Sequence, residues 1–131
     1  MKITYLGSKC FKAVTRDQEL IIDQPTEYGG TNKGFTPPEL LIASLGSCVG
    51  VYVENFCLRH EIDISKMEID LQWEKVMEPT RLDKINCQVS IPTVVDENKK
   101  KAIQKVAEQC LIHNTLHNEP EINISVEVQS D

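Results

Sequence analysis

The sequence predicts an α+β protein with antiparallel sheets wrapped around one long, buried central helix, accompanied by a second helix. Three observations carry this. The run from Leu40 to Val53 holds no charged residue, which is the composition of a helix without a solvent face. Segments on both sides alternate apolar and polar residues with the period of two that marks a half-buried strand. The order of elements (strands, helix, strands, helix, strand) departs from the strict βα alternation of a parallel sheet.

The strands come first. Ile3 and Tyr5 alternate, Gly7-Ser8 punctuates, Cys10 to Val14 supplies a second strand and Glu19 to Asp23 a third, with Thr15 to Gln18 as a hairpin turn. Pro25, Gly29, Gly30 and Gly34 make Gln24 to Phe35 a loop of unusual backbone angles. The central helix then starts in capping chemistry. Thr36 is placed to accept from an orphan amide, Glu39 three residues on to reach back to the Thr36 amide, and Pro37 occupies the first helical position. The helix is expected to run to about His60. Its 14-residue uncharged core is too short to span a bilayer.

Beyond it, Met67, Ile69, Leu71 and Trp73 share one strand face, opposite Glu68, Asp70, Gln72 and Glu74. Pro79-Thr80-Arg81 marks a turn, and Ile85, Cys87, Val89 and Ile91 repeat the period, with Cys87 read as a core residue. Asp96 caps a second helix whose apolar face is Ala102, Ile103, Val106, Ala107 and Cys110, while Lys99 to Lys101 form its solvated side. Ile122, Ile124, Val126 and Val128 then predict a closing strand.

With 131 residues the chain is read as a single domain, 1–131. A net charge of −6 argues against nucleic acid or an anionic membrane as a partner. The N-terminus opens no basic-then-apolar signal region. Five cysteines, an odd number without framework spacing, fit free thiols in a reducing cytoplasm. A helix apolar all round must be covered on every side. Ala43, Gly46, Ser47 and Gly50 form a strip of small residues open to close approach, and a second copy of the chain is the simplest cover, giving a two-fold homodimer.

Chemistry centres on two thiols. Cys48 lies mid-helix on a stripe with Ser44, Tyr52 and Asn55, so it is either a small core hydrophobe or a nucleophile activated by a cation from elsewhere in the fold. Cys110 is either core or the partner that resolves an oxidised Cys48. Cys110, His113 and His117 would share a face if the second helix continued, a loose zinc set without an evident fourth ligand. Capping or surface histidines explain them more simply, and neither a metal nor a cofactor is assigned.

Gly29-Gly30, then Thr36-Pro37-Pro38-Glu39-Leu40-Leu41 through Ala43 and Leu45-Gly46-Ser47-Cys48, Pro79-Thr80-Arg81-Leu82, and Cys110 through Leu116 resemble the OsmC/Ohr family of osmotically induced and organic-hydroperoxide-resistance proteins over nearly the whole chain. The resemblance implies an intertwined homodimer with two sites at its interface. Cys48 would attack a hydroperoxide and become a sulfenic acid, Cys110 would condense with it to a disulfide, and a dithiol such as a lipoyl protein would reduce the pair. Apolar surroundings at Cys48 favour organic hydroperoxides.

Two positions depart from the family pattern. Pro38 stands where the peroxidases carry a glutamate, and Glu39 follows one residue, about 100° of helix, later. Glu39 also lies roughly 13 Å of helical rise from Cys48, so the two could meet only across an antiparallel pair of helices from two chains. The activating arginine of the family precedes the helix, yet no arginine lies between Asp17 and Leu58. Arg16 ranks first as its substitute, ahead of Lys33 and Arg81. These departures support a rival expectation from another class, a non-enzymatic dimer that binds a small apolar or thiol-containing ligand.

Overall fold

A computed structural model describes residues 1–130. The N-terminal meander comprises β1 (Lys2–Gly7), β2 (Cys10–Thr15) and β3 (Gln18–Ile22), antiparallel in that order. Register places Tyr5 opposite Phe11, and their rings lie 5.3 Å apart. The loop that follows closes on β3: Ile22 bridges Phe35, and the Asp23 amide donates to the Phe35 carbonyl at 3.1 Å. Two glycines are required there by space. A Cβ on Gly30 would collide with the carbonyl oxygen of Gln24, and one on Gly34 with that of Ile21.

Helix α1 (Pro37–Arg59) ends at the His60 cap and begins with the capping box read from the sequence. The Glu39 amide donates to Thr36 Oγ1 at 3.4 Å, and the Thr36 amide to Glu39 Oε2 at 3.3 Å. Within one chain, however, α1 is not covered all round. Ile42, Leu45, Gly46, Val49, Gly50, Val53, Phe56 and Cys57 are buried, whereas Leu41, Ala43, Ser47, Val51 and Leu58 are exposed. The expected strip of small residues is accordingly divided. Gly46 and Gly50 receive the side chains of Leu71 and Ile69 from the chain's own sheet, and Ala43 and Ser47 belong to the exposed side. At 23 residues α1 has the length and composition of a membrane-crossing helix, but its buried face is the core of the fold.

That sheet is the hairpin of β4 (Glu68–Met77) and β5 (Thr80–Ser90), whose register sets Leu71 opposite Cys87 and Ile69 opposite Val89. Helix α2 (Glu97–Ala107) is capped by Asp96, which accepts from the Lys99 amide at 2.8 Å. Its Ala102, Ile103, Val106 and Ala107 pack against the core formed by Leu45, Val49, Val53, Phe56, Cys57, Ile62 and Cys110.

Three expectations need correction. The second helix stops at Ala107, and a separate α3 (Leu111–His117) begins after Cys110. Cys110 is thus a helix cap rather than the last residue of an apolar helix face, because its sulfur accepts the amide of His113. The closing strand has no partner: residues 119–130 carry no secondary structure, and Ile122, Ile124, Val126 and Val128 are exposed. Alternation describes a segment fit for a sheet, but a strand also needs a free edge to bond, and this segment bonds none among the described residues. Cys87, finally, is exposed.

Candidate functional site

The α1 core helix carries Cys48 half-buried on its flank, and the turn between α2 and α3 carries Cys110 fully buried beside it. Cys48 packs against the core cluster that contains Cys110, so the two thiols are neighbours. Their meeting is a product of packing, since one belongs to mid-helix and the other to a cap. The His113 amide donates to Cys110 Sγ at 3.2 Å, a sulfur version of the N-cap bond usually made by oxygen. Burial pushes the Cys110 thiol up and the neighbouring Cys48 pushes it further, whereas the amides of His113 and Ile112 pull it down; burial prevails.

The other predicted residues stand elsewhere. The Glu39 carboxylate is occupied in the capping box in the first turn of α1, while Cys48 lies at mid-helix. Arg16 lies in the β2–β3 turn with φ of 52° and is exposed; it makes no ion pair among the described residues. Arg81 pairs with Asp83 on the surface. The Lys33 amide, rather than its ammonium group, is used: it donates to Asp23 at 3.1 Å. The structure brings together Cys48 and Cys110.

The zinc set is not assembled. No group of three His, Cys, Asp or Glu side chains among the described residues is arranged to hold a metal ion. Nδ1–H of His113 donates to the Glu108 carbonyl at 2.7 Å, and the His113 ring meets that of His117 edge-on at 4.4 Å.

Two features escaped the sequence reading. A cavity of about 710 Å³ opens between β5, α1 and α2, with Leu45, Val49, Cys87 and Ile103 in its apolar wall and His113 at its margin. Asp23 is fully buried and serves as the anchor of the glycine loop. Its carboxylate accepts from the amides of Gln24 at 2.7 Å, Thr31 at 3.2 Å and Lys33 at 3.1 Å, and from the Thr31 hydroxyl. The hydroxyl bond contributes most to holding this carboxyl well below the usual range. The sequence signal was present in the loop's own composition: a carboxylate directly before a glycine-rich segment whose amides need an acceptor.

An α+β scaffold with a thiol pair packed at the flank of its central helix defines a class of cysteine-bearing folds. Residues 30–125 match the model of the OsmC-like protein family, and the chain belongs to the OsmC/Ohr family. An uncharacterised protein of Methanocaldococcus jannaschii is 29% identical over 120 residues, covering 89% of this chain and 63% of that protein. The chain therefore spans less than two thirds of the length of the curated relative it matches.

Among solved structures, a Psychrobacter arcticus protein named for osmotic stress induction and detoxification response superposes with a TM-score of 0.82 at 24% identity, covering 90% of this chain and 88% of that one. A Legionella pneumophila organic hydroperoxide resistance protein OsmC gives 0.67 at 16% identity, with 89% and 87% covered. These likenesses show the shared fold.

Proposed function

We propose that the protein is a thiol-dependent reductase of organic hydroperoxides, acting as a homodimer. The observation that carries this reading is the packing of Cys48 against the core cluster that holds Cys110, two thiols remote in sequence and neighbours in the fold. The Cys48 thiolate attacks the terminal peroxide oxygen; the O–O bond breaks, the alcohol leaves with one proton, and Cys48 becomes a sulfenic acid. The Cys110 thiol then attacks the Cys48 sulfur, water leaves, and a disulfide remains. A dithiol reductant returns both cysteines to thiols while it closes to its own disulfide.

The dimer is supported by surfaces that one chain leaves open. Ala43, Ser47, Val51 and Leu58 form an exposed stripe along α1, and the alternating segment Ile122 to Val128 is exposed. A second copy lying antiparallel along the stripe would cover it, and would bring Glu39 of one chain toward Cys48 of the other. The names of structural relatives, detoxification response and organic hydroperoxide resistance, point the same way.

A second reading is favoured by the cavity: a dimer that binds a small apolar or thiol-containing ligand without turning it over. Cumene hydroperoxide consumption with a dithiol donor separates the two. We expect Cys48→Ser to lower turnover by at least about 10³-fold. Equal turnover by wild type and Cys48→Ser would reject the enzyme in favour of the binder.

A further inference from the structure

We infer that Cys87 is a third redox thiol, which takes over the disulfide from the Cys48–Cys110 pair and presents it to an incoming dithiol in the cavity beside β5. This rests on the proposed peroxidase reading of that pair. Ile85, Cys87 and Val89 alternate on one face of β5. Ile85 and Val89 pack against the core cluster that contains Cys110, Leu45 and Val49, so the face carrying Cys87 is turned toward α1 and Cys110. Opposite Cys87 stands Leu71, whose side chain lies on Gly46, two residues from Cys48.

Cys87 also lines the cavity together with Leu45, Val49 and His113, and His113 is the residue whose amide holds Cys110 Sγ. Partial desolvation against the cavity wall, and then the neighbouring Cys110, push the Cys87 thiol up.

Access differs among the three thiols in a way that gives the relay a purpose. Cys110 is fully buried and Cys48 half-buried, whereas Cys87 is exposed. A Cys48–Cys110 disulfide is screened from a bulky reductant. In the relay step the Cys87 thiolate attacks the Cys110 sulfur, the Cys48–Cys110 bond breaks, and Cys48 leaves as a thiolate; the new disulfide joins Cys87 to Cys110, with no net electron change. Cys48 is thereby returned to its reactive form before any external reductant arrives. The apolar cavity wall suits a dithiol carried on an aliphatic chain.

The test is disulfide mapping by mass spectrometry over time after one equivalent of cumene hydroperoxide. Wild type should form the 48–110 disulfide first and the 87–110 disulfide at its expense. Cys87→Ser should stop at 48–110, and reduction of that bond by dihydrolipoamide should be slower by about tenfold. Independently of any peroxidase chemistry, Cys48→Ser treated with diamide should form the 87–110 disulfide.

Failure of that diamide reaction overturns the relay, as does a wild type that forms 48–110 and never 87–110; the peroxidase reading survives both. A wild type in which peroxide forms neither disulfide overturns the peroxidase reading and the relay with it.

Discussion

Asp23 and Cys110 are both fully buried titratable groups, and the fold moves them in opposite senses. Burial opposes ionisation at each. At Asp23 three amides and a hydroxyl converge on one carboxylate and overcome it. At Cys110 the amide bonds are too few to do so, and the neighbouring thiol favours the protonated form. The difference is one of saturation. A carboxylate with its lone pairs filled by its own loop is a structural anchor with nothing left to offer a substrate. A thiol held by one good amide bond and one thiol partner is positioned without being used up, which is the condition for chemistry.

The contrast can be broken most severely at the anchor. Gly30→Ala sets a Cβ against the Gln24 carbonyl, a backbone atom with no room to yield. We expect a loss of about 3 kcal/mol in urea unfolding, while the alkylation rate of Cys48 in the folded protein stays within a factor of about two, since the two centres are held by different elements.

Asp23→Asn comes next. It keeps the shape and removes the charge that the loop amides solvate, and should lower Tm by several degrees at pH 7. The sign with pH is fixed by the direction of the shift. Asp23 is lowered in the fold, so its contribution is complete above the unfolded carboxyl range near about pH 4 and declines as pH falls below it. The gap between wild type and Asp23→Asn should therefore narrow from pH 5 to pH 2; a constant gap would show that the loop does not discriminate the charge.

Smaller effects sharpen the comparison between oxygen and sulfur caps. Thr36→Ala removes the hydroxyl that receives the Glu39 amide and should cost about 1 kcal/mol. Cys110→Ser retains a good cap acceptor for the His113 amide and should change stability by less than about 1 kcal/mol, yet abolish every disulfide involving residue 110. A large loss of stability in Cys110→Ser would mean that the sulfur is there for packing, and would remove the reason to read it as a redox group.

Much of the fold was legible along the chain. The Thr36, Pro37 and Glu39 start of α1 and the Asp96 start of α2 were read correctly because a cap is settled within three or four residues. The strands of both hairpins were legible because alternation is local. The thiol pair and its nearness came only as what the resemblance implies, because no periodicity spans a mid-helix residue and a distant cap. Cys87 was misread as core: its strand face was assigned correctly, but a residue on the inner face of a two-stranded hairpin is buried only where a helix reaches over it, and at Cys87 the cavity intervenes.

By itself the sequence determined where helices begin, which strand faces are apolar and which loop needs glycine, since each follows from residues within a few positions of one another. Only the tertiary structure decided that Gly46 and Gly50 lie under Leu71 and Ile69, that one side of α1 stays open, that Cys110 caps α3, and that three cysteines from α1, β5 and a turn surround one corner of the core. Those are facts of how elements pack, and packing is set by the shapes of surfaces that meet only after the chain has folded.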